Sequence, residues 1–234
     1  MTLIEKKILK FFPQPIFHYK VENFEKHNEN LSKYIYELYK DDKDGLIRSN
    51  QGGWHSKPFD LKKKDNPPFN FFMEIQKYVA DVFRESGWFY TPEKVNLTEM
   101  WAIINKKNNF NIEHTHPNNY LSAAYYVKAP ENCGSFNVSN PNQVAKERIA
   151  ISDKRTEFNQ NIAQIKPVAG DLLLFPAYLP HSVGMNLSEE DRIVISFNID
   201  ILKKLFFFSL KTTSAFFRFY YFRFIFFCKQ IFCN

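Results

Sequence analysis

From residue 94 to residue 200 the chain is a succession of short runs of β-branched and aromatic residues, each bounded by turn signals. The runs are 94–105, 110–115, 120–128, 134–138, 162–167, 171–175, 181–186 and 192–200. Parallel strands need crossovers of a dozen or more residues, commonly helical. Most of these gaps are too short for that. The spacing therefore predicts an antiparallel sandwich or small barrel rather than a sheet wound with helices. The polar stretch 139–161 has no clear apolar period and is expected to be a long loop near the mouth of the site.

Upstream the texture is different. Phe24, Leu31, Ile35 and Leu38 recur at helical spacing, which predicts a helix from Val21 to about Tyr39, halted by Asp41-Asp42-Lys43-Asp44-Gly45. A second helix is expected from about Phe69 to Ser86, burying Phe72, Ile75, Val79 and Val82 or Phe83 and closed by Gly87. Residues 11–17 are expected to form a leading strand, limited at its edges by proline. Residues 48–58 form a turn-rich connection.

Charge separates the chain into a body and a tail. Residues 201–234 carry six basic side chains and no acid; removing those six from 31 leaves 25 basic against 25 acidic residues in the body. The basic excess thus belongs to the tail, and no nucleic-acid partner is expected. The tail also holds eleven of the 26 phenylalanines. Two readings of it stand: an aromatic, basic anchor touching a membrane surface, or a non-native extension. Its apolar stretches fall short of the ~20 residues of a spanning helix. Cys133 is the one cysteine of the body, too few for a disulfide framework or a thiolate zinc site. No secretory signal opens the chain, and the cytoplasm is the expected location.

Chemistry concentrates in four residues. His114 and His116 are two apart, so in an extended strand their side chains point the same way, roughly 6–7 Å from each other. Pro117 cannot donate a ladder hydrogen bond, so pairing loosens just past them. His181 follows Pro180 at the start of another strand-like run, after the turn Gly170-Asp171, the buried run Leu172–Phe175 and Pro176. Neutral imidazoles suit iron, zinc, copper or nickel. Arg192 opens Arg192-Ile-Val-Ile-Ser-Phe-Asn198, where alternation puts Arg192, Val194, Ser196 and Asn198 on one face. A guanidinium there suits bidentate capture of a carboxylate. The bland alternatives are edge-strand or turn histidines and a solvated arginine.

With these residues, the chain resembles the 2-oxoglutarate- and Fe(II)-dependent oxygenases, and more narrowly a branch marked by a His-x-His-Pro signature. The resemblance is carried by Ser49-Asn-Gln-Gly-Gly-Trp54-His-Ser56, Trp101-Ala-Ile-Ile-Asn105, His114-Thr-His-Pro-Asn118, Leu121-Ser-Ala-Ala-Tyr-Tyr126, Pro130-Glu-Asn-Cys-Gly134, Gly170-Asp-Leu-Leu-Leu-Phe-Pro176, Pro180-His-Ser-Val183 and Arg192–Asn198. These span roughly residues 11–200 in the family's order. The resemblance implies a mainly β chain with N-terminal helices, folded as a double-stranded β-helix (jelly roll, cupin-like). Residues 1–90 would be a supporting strand and helical region, 91–203 the catalytic core and 204–234 the tail.

It further implies that His114, His116 and His181 bind Fe(II) and that Arg192 holds the distal carboxylate of 2-oxoglutarate. Where His116 stands, the wider superfamily usually has a carboxylate. Asn105, Ser122, Tyr125 and Ser196 are the candidate polar contacts to 2-oxoglutarate. The implied reaction uses O2, releases succinate and CO2 and hydroxylates a small molecule or protein side chain. Two other functions compete: a three-histidine cupin-like dioxygenase without 2-oxoglutarate, and a non-catalytic jelly-roll binding module.

Overall fold

The computed structural model describes residues 7–201, except 65, 89–90, 92–94 and 148–150. The Phe-rich tail, with both readings of it, therefore lies outside the described residues.

Eleven strands form two antiparallel sheets. They are β1 (Phe17–Lys20), β2 (Asn50–Gln51), β3 (Trp54–His55), β4 (Val95–Asn105), β5 (Phe110–His114), β6 (Leu121–Lys128), β7 (Phe136–Ser139), β8 (Ile162–Ile165), β9 (Asp171–Pro176), β10 (His181–Val183) and β11 (Arg192–Ile201). The larger sheet runs β1-β9-β6-β11-β4-β3 and the smaller β2-β5-β10-β7-β8. This is a jelly roll: from β4 to β7 and again from β8 to β11, successive strands alternate between the two sheets. The N-terminal region is woven into both sheets through β1, β2 and β3.

Helices α1 (Phe24–Asp41) and α2 (Pro67–Glu85) cover one face of the larger sheet. The α2 start follows from sequence. The Asn66 side chain accepts from the Phe69 N–H at 2.9 Å, and Pro67 sits where no intrahelical donor is required. Its buried stripe is Phe71, Ile75, Val79, Val82 and Phe83. Phe71, not the expected Phe72, lies fully buried; it packs on Tyr125 with ring centroids 4.3 Å apart. Against these helices the sheet presents Met100, Ala102 and Ile104, then Ala123 and Tyr125, then Ile193, Ile195 and Phe197. Strand alternation sends the intervening residues to the space between the sheets.

Two expectations need correction. Of residues 11–17, only Phe17 is in a strand, because Pro13 and Pro15 deny the ladder two donors; pairing with β9 begins at Phe17. The polar stretch 139–161 is not wholly loop: it holds a short helix α3 (Gln143–Glu147).

Candidate active site

The space between the sheets is a cavity of ≈ 740 Å³. The smaller sheet contributes two of the three histidines. His114 ends β5 and His181 begins β10, and they are direct cross-strand partners. Their ring centroids are 4.3 Å apart. β5 ends at His114, so His116 arrives from the turn beyond it; its backbone N–H donates to the Ala177 carbonyl at 2.9 Å. That bond carries the ring back over the site, 5.1 Å from His114 and stacked at 5.2 Å on His181. One ligand atom from each histidine lies within 4.8 Å of the others, so the three can hold a metal ion.

Hydrogen bonding orients two of the rings. His114 Nδ1 lies 2.8 Å from the Ile112 carbonyl and His181 Nδ1 lies 2.9 Å from the Leu179 carbonyl. A carbonyl only accepts, so each Nδ1 carries the proton and each Nε2 keeps its lone pair. Burial works in the same direction. It pushes His116 down to about 4 and, with His114 adding to the effect, His181 down to about 3. His114 is also lowered, by burial. Neutral imidazoles are the form that binds metal.

Arg192 begins β11 on the larger sheet, 1% exposed. One Nη donates to the Gly184 carbonyl at 2.9 Å and to the Cys133 carbonyl. The two carbonyls are held by a close approach of backbones: a Cβ on Gly134, whose φ is +88°, would fall 2.2 Å from the Gly184 oxygen. Nε and the other Nη are buried and unpartnered. Among the described residues no carboxylate pairs with this guanidinium. A buried charge left so is costly unless a ligand completes it.

Asn105 faces Arg192 across the β4–β11 pair. Its amide donates to Asn111 Oδ1 at 2.9 Å, and Asn111 donates to Ser49 Oγ at 3.2 Å, which stands 3.5 Å from His114 Nε2. A polar chain thus links the guanidinium's neighbour to the histidine cluster. Ser196 lines the cavity two rows further along β11, opposite Trp101 and Ala124.

The other two expected cosubstrate contacts fare differently. Tyr125 faces the helices, and its hydroxyl donates to Asn28 Oδ1 at 2.6 Å. Ser122 does face the cavity, but it pairs with Asn198, six residues along β11 from Arg192. Six residues of strand span about 20 Å. Ser122 and Tyr125 are three apart and cannot share a strand face, a conflict already contained in the period of two. Parity with β11 points instead to Tyr126, the partner of Val194, whose buried hydroxyl is unpartnered in the cavity. Asn111 had no sequence signal, and Ser49 entered only as the first residue of a resemblance stretch, since the place of each in the site depends on sheet pairing.

Three histidines able to hold a metal ion and a buried guanidinium without a carboxylate partner among the described residues thus line one cavity inside a jelly roll. Residues 99–198 match the family model described as "Putative 2OG-Fe(II) oxygenase". No curated protein sequence matches. Among solved structures, the chain is similar to HygX from Streptomyces hygroscopicus with nickel and 2-oxoglutarate bound (13% identity, 80% of this chain and 83% of that one, TM-score 0.56). It is also similar to a Pseudomonas putida prolyl-4-hydroxylase (13% identity, 81% and 94%, TM-score 0.55) and to the carbocyclase SnoK from nogalamycin biosynthesis (12% identity, 80% and 79%, TM-score 0.58). At these identities the likeness establishes the shared jelly-roll fold. The matched segment is the part of the jelly roll that carries the three histidines and Arg192, and the match supports a 2-oxoglutarate/Fe(II)-dependent dioxygenase with Fe(II), 2-oxoglutarate and O2 as its cofactors.

Proposed function

We propose that His114, His116 and His181 hold the iron, that Arg192 holds the distal carboxylate of 2-oxoglutarate, and that the enzyme hydroxylates a small molecule or protein side chain with release of succinate and CO2. On this reading the protein is of the His-x-His-Pro branch, with residues 91–203 as its catalytic core and 1–90 as support. The observation that carries it is the pair of buried, unpartnered nitrogens on Arg192. A fork of N–H donors with no acid of its own matches a carboxylate in geometry and in charge.

The donor set fits the metal. Three neutral imidazoles whose ligand atoms lie within 4.8 Å of one another suit a divalent first-row ion. Bound iron supplies the oxidative chemistry. The chain supplies the rest. Arg192 fixes the acid end of the cosubstrate, with the Tyr126 hydroxyl able to donate to it and any contact from Asn105 limited to its amide N–H, which already serves Asn111. The apolar wall of Phe136, Phe175 and Val194 shields the cluster from water. The Ile112 and Leu179 carbonyls keep the His114 and His181 rings turned inward. A three-histidine dioxygenase that needs no 2-oxoglutarate would leave Arg192 without a purpose.

Neighbours of this fold differ in what they hold: one is a prolyl-4-hydroxylase, and HygX was crystallised with hygromycin B bound. The test is turnover. The full chain with Fe(II), ascorbate and 2-oxoglutarate is expected to release succinate, even uncoupled from substrate. No succinate under any metal or substrate condition would reject the reading.

A further inference from the structure

The cavity has a second polar end that 2-oxoglutarate held by Arg192 does not reach. The cavity-facing row of β11 runs Arg192, Val194, Ser196, Asn198, and its neighbours are in register. Ser196 is flanked by Trp101 and Ala124, and Asn198 by Glu99 and Ser122. Asn198 thus stands about 20 Å of strand from Arg192, while 2-oxoglutarate is a five-carbon diacid much shorter than that. At this far end three buried side chains carry polar atoms without partners: Ser122 Oγ at 1% exposure, Asn198 Oδ1 at 5% and Trp101 Nε1 at 7%. All three residues line the cavity, as does the exposed Glu99.

Unpartnered buried polar atoms cost stability unless something fills them. At the Arg192 end the cosubstrate does so. At this end none of the described residues does. We propose that Ser122, Asn198, Trp101 and Glu99 form the substrate subsite, and that its ligand is a small polyhydroxylated amine. This rests on the proposed oxygenase reading, because it places the substrate across the histidine cluster from the cosubstrate. Trp101 Nε1 only donates, Asn198 Oδ1 only accepts, and Ser122 Oγ does either. Such a mixed, uncharged, directional set pairs with hydroxyl groups. Glu99 adds one anion at the rim, which selects an ammonium group over a carboxylate. An extended peptide would find no free strand edge here, since both sides of β11 are already paired.

The test is binding, measured by calorimetry on the full chain loaded with Ni(II) and 2-oxoglutarate under nitrogen. D-glucosamine, D-glucose and N-acetyl-Ala-Pro-Ala-amide are the probes. Glucosamine is expected to bind more tightly than glucose, and the peptide not at all. Glu99→Gln, an exposed change that leaves packing intact, is expected to weaken glucosamine about fivefold and to leave glucose within twofold. Asn198→Ala is expected to weaken both sugars about tenfold. If neither sugar binds, if Glu99→Gln treats both alike, or if the peptide binds instead, the assignment is overturned. The 2-oxoglutarate titration of the same Ni(II)-loaded protein separates the two failures. Loss of cosubstrate binding rejects the oxygenase reading itself, whereas cosubstrate binding without sugar binding rejects this subsite alone.

Discussion

Arg192 and Asn105 face each other across the β4–β11 pair, and each leaves a buried polar atom unpartnered in the same cavity. Both groups are anchored from behind. Arg192 is held by the Gly184 and Cys133 carbonyls, and Asn105 by Asn111. The free Arg192 nitrogens are thus presented in fixed positions, the arrangement a ligand carboxylate requires, whereas the free Asn105 oxygen only accepts and suits a donor.

Arg192→Ala should keep the metal and lose the cosubstrate. Removing one partner of a buried charged pair costs roughly 2–5 kcal/mol, or at least about 30-fold in 2-oxoglutarate affinity. Titration of 2-oxoglutarate into the metal-loaded variant measures this. Unchanged affinity would place the carboxylate elsewhere.

The two adjacent tyrosines should behave in opposite ways. Tyr126→Phe removes a hydroxyl with no partner among the described residues, so folding stability should hold or rise while 2-oxoglutarate binding weakens. Tyr125→Phe removes a hydrogen bond to Asn28 and should cost about 1 kcal/mol of stability with no effect on the cosubstrate. Denaturant unfolding and 2-oxoglutarate titration of both variants decide it; the reverse pattern would mean that β6 is turned over.

On the proposed reading, His181→Ala should abolish metal binding, because it removes the most buried of the three imidazoles. His116→Asp should retain iron, since a carboxylate there restores the more usual donor set. Iron content after desalting is the measurement. Loss of iron from the aspartate variant would show that the imidazole is required.

The metal-free protein should weaken in mild acid. Unfolded histidines take up protons near pH 6.5. In the folded chain His116 and His181 are held down to about 4 and about 3, and His114 is lowered as well. Below pH 6.5 the unfolded state therefore binds more protons, and stability falls as pH falls toward 4; it is fully present above 6.5. Each pH unit of such a shift is worth about 1.4 kcal/mol. The urea midpoint should drop steadily between pH 7 and pH 5, and a flat midpoint would contradict neutral, buried imidazoles.

Gly134→Ala should damage the site from outside it. The new methyl would collide with the Gly184 carbonyl, an Arg192 acceptor, at a positive φ that alanine resists. A loss of about 2 kcal/mol or more in stability is expected, together with weaker 2-oxoglutarate binding. Wild-type stability would show that the backbones can separate freely.

Much was legible in the sequence because it was local. The run lengths predict an antiparallel β architecture, and the 3.6-residue periods predict both helices. The β11 alternation puts Arg192 on one face with Asn198, and the structure places both on the cavity side. The reading broke down where a strand's facing had to be assigned without its neighbour. Tyr125 was expected to contact 2-oxoglutarate, and the register of β6 against β11 turns it toward the helices and puts Tyr126 in the cavity. The meeting of His114 with His181, the closeness of the Gly134 and Gly184 backbones, and the separation of a carboxylate end from a second polar end are likewise tertiary facts. Each depends on which strands pair and in what register. Pairing is settled by burial over the whole sheet, a sum that no window of neighbouring residues contains.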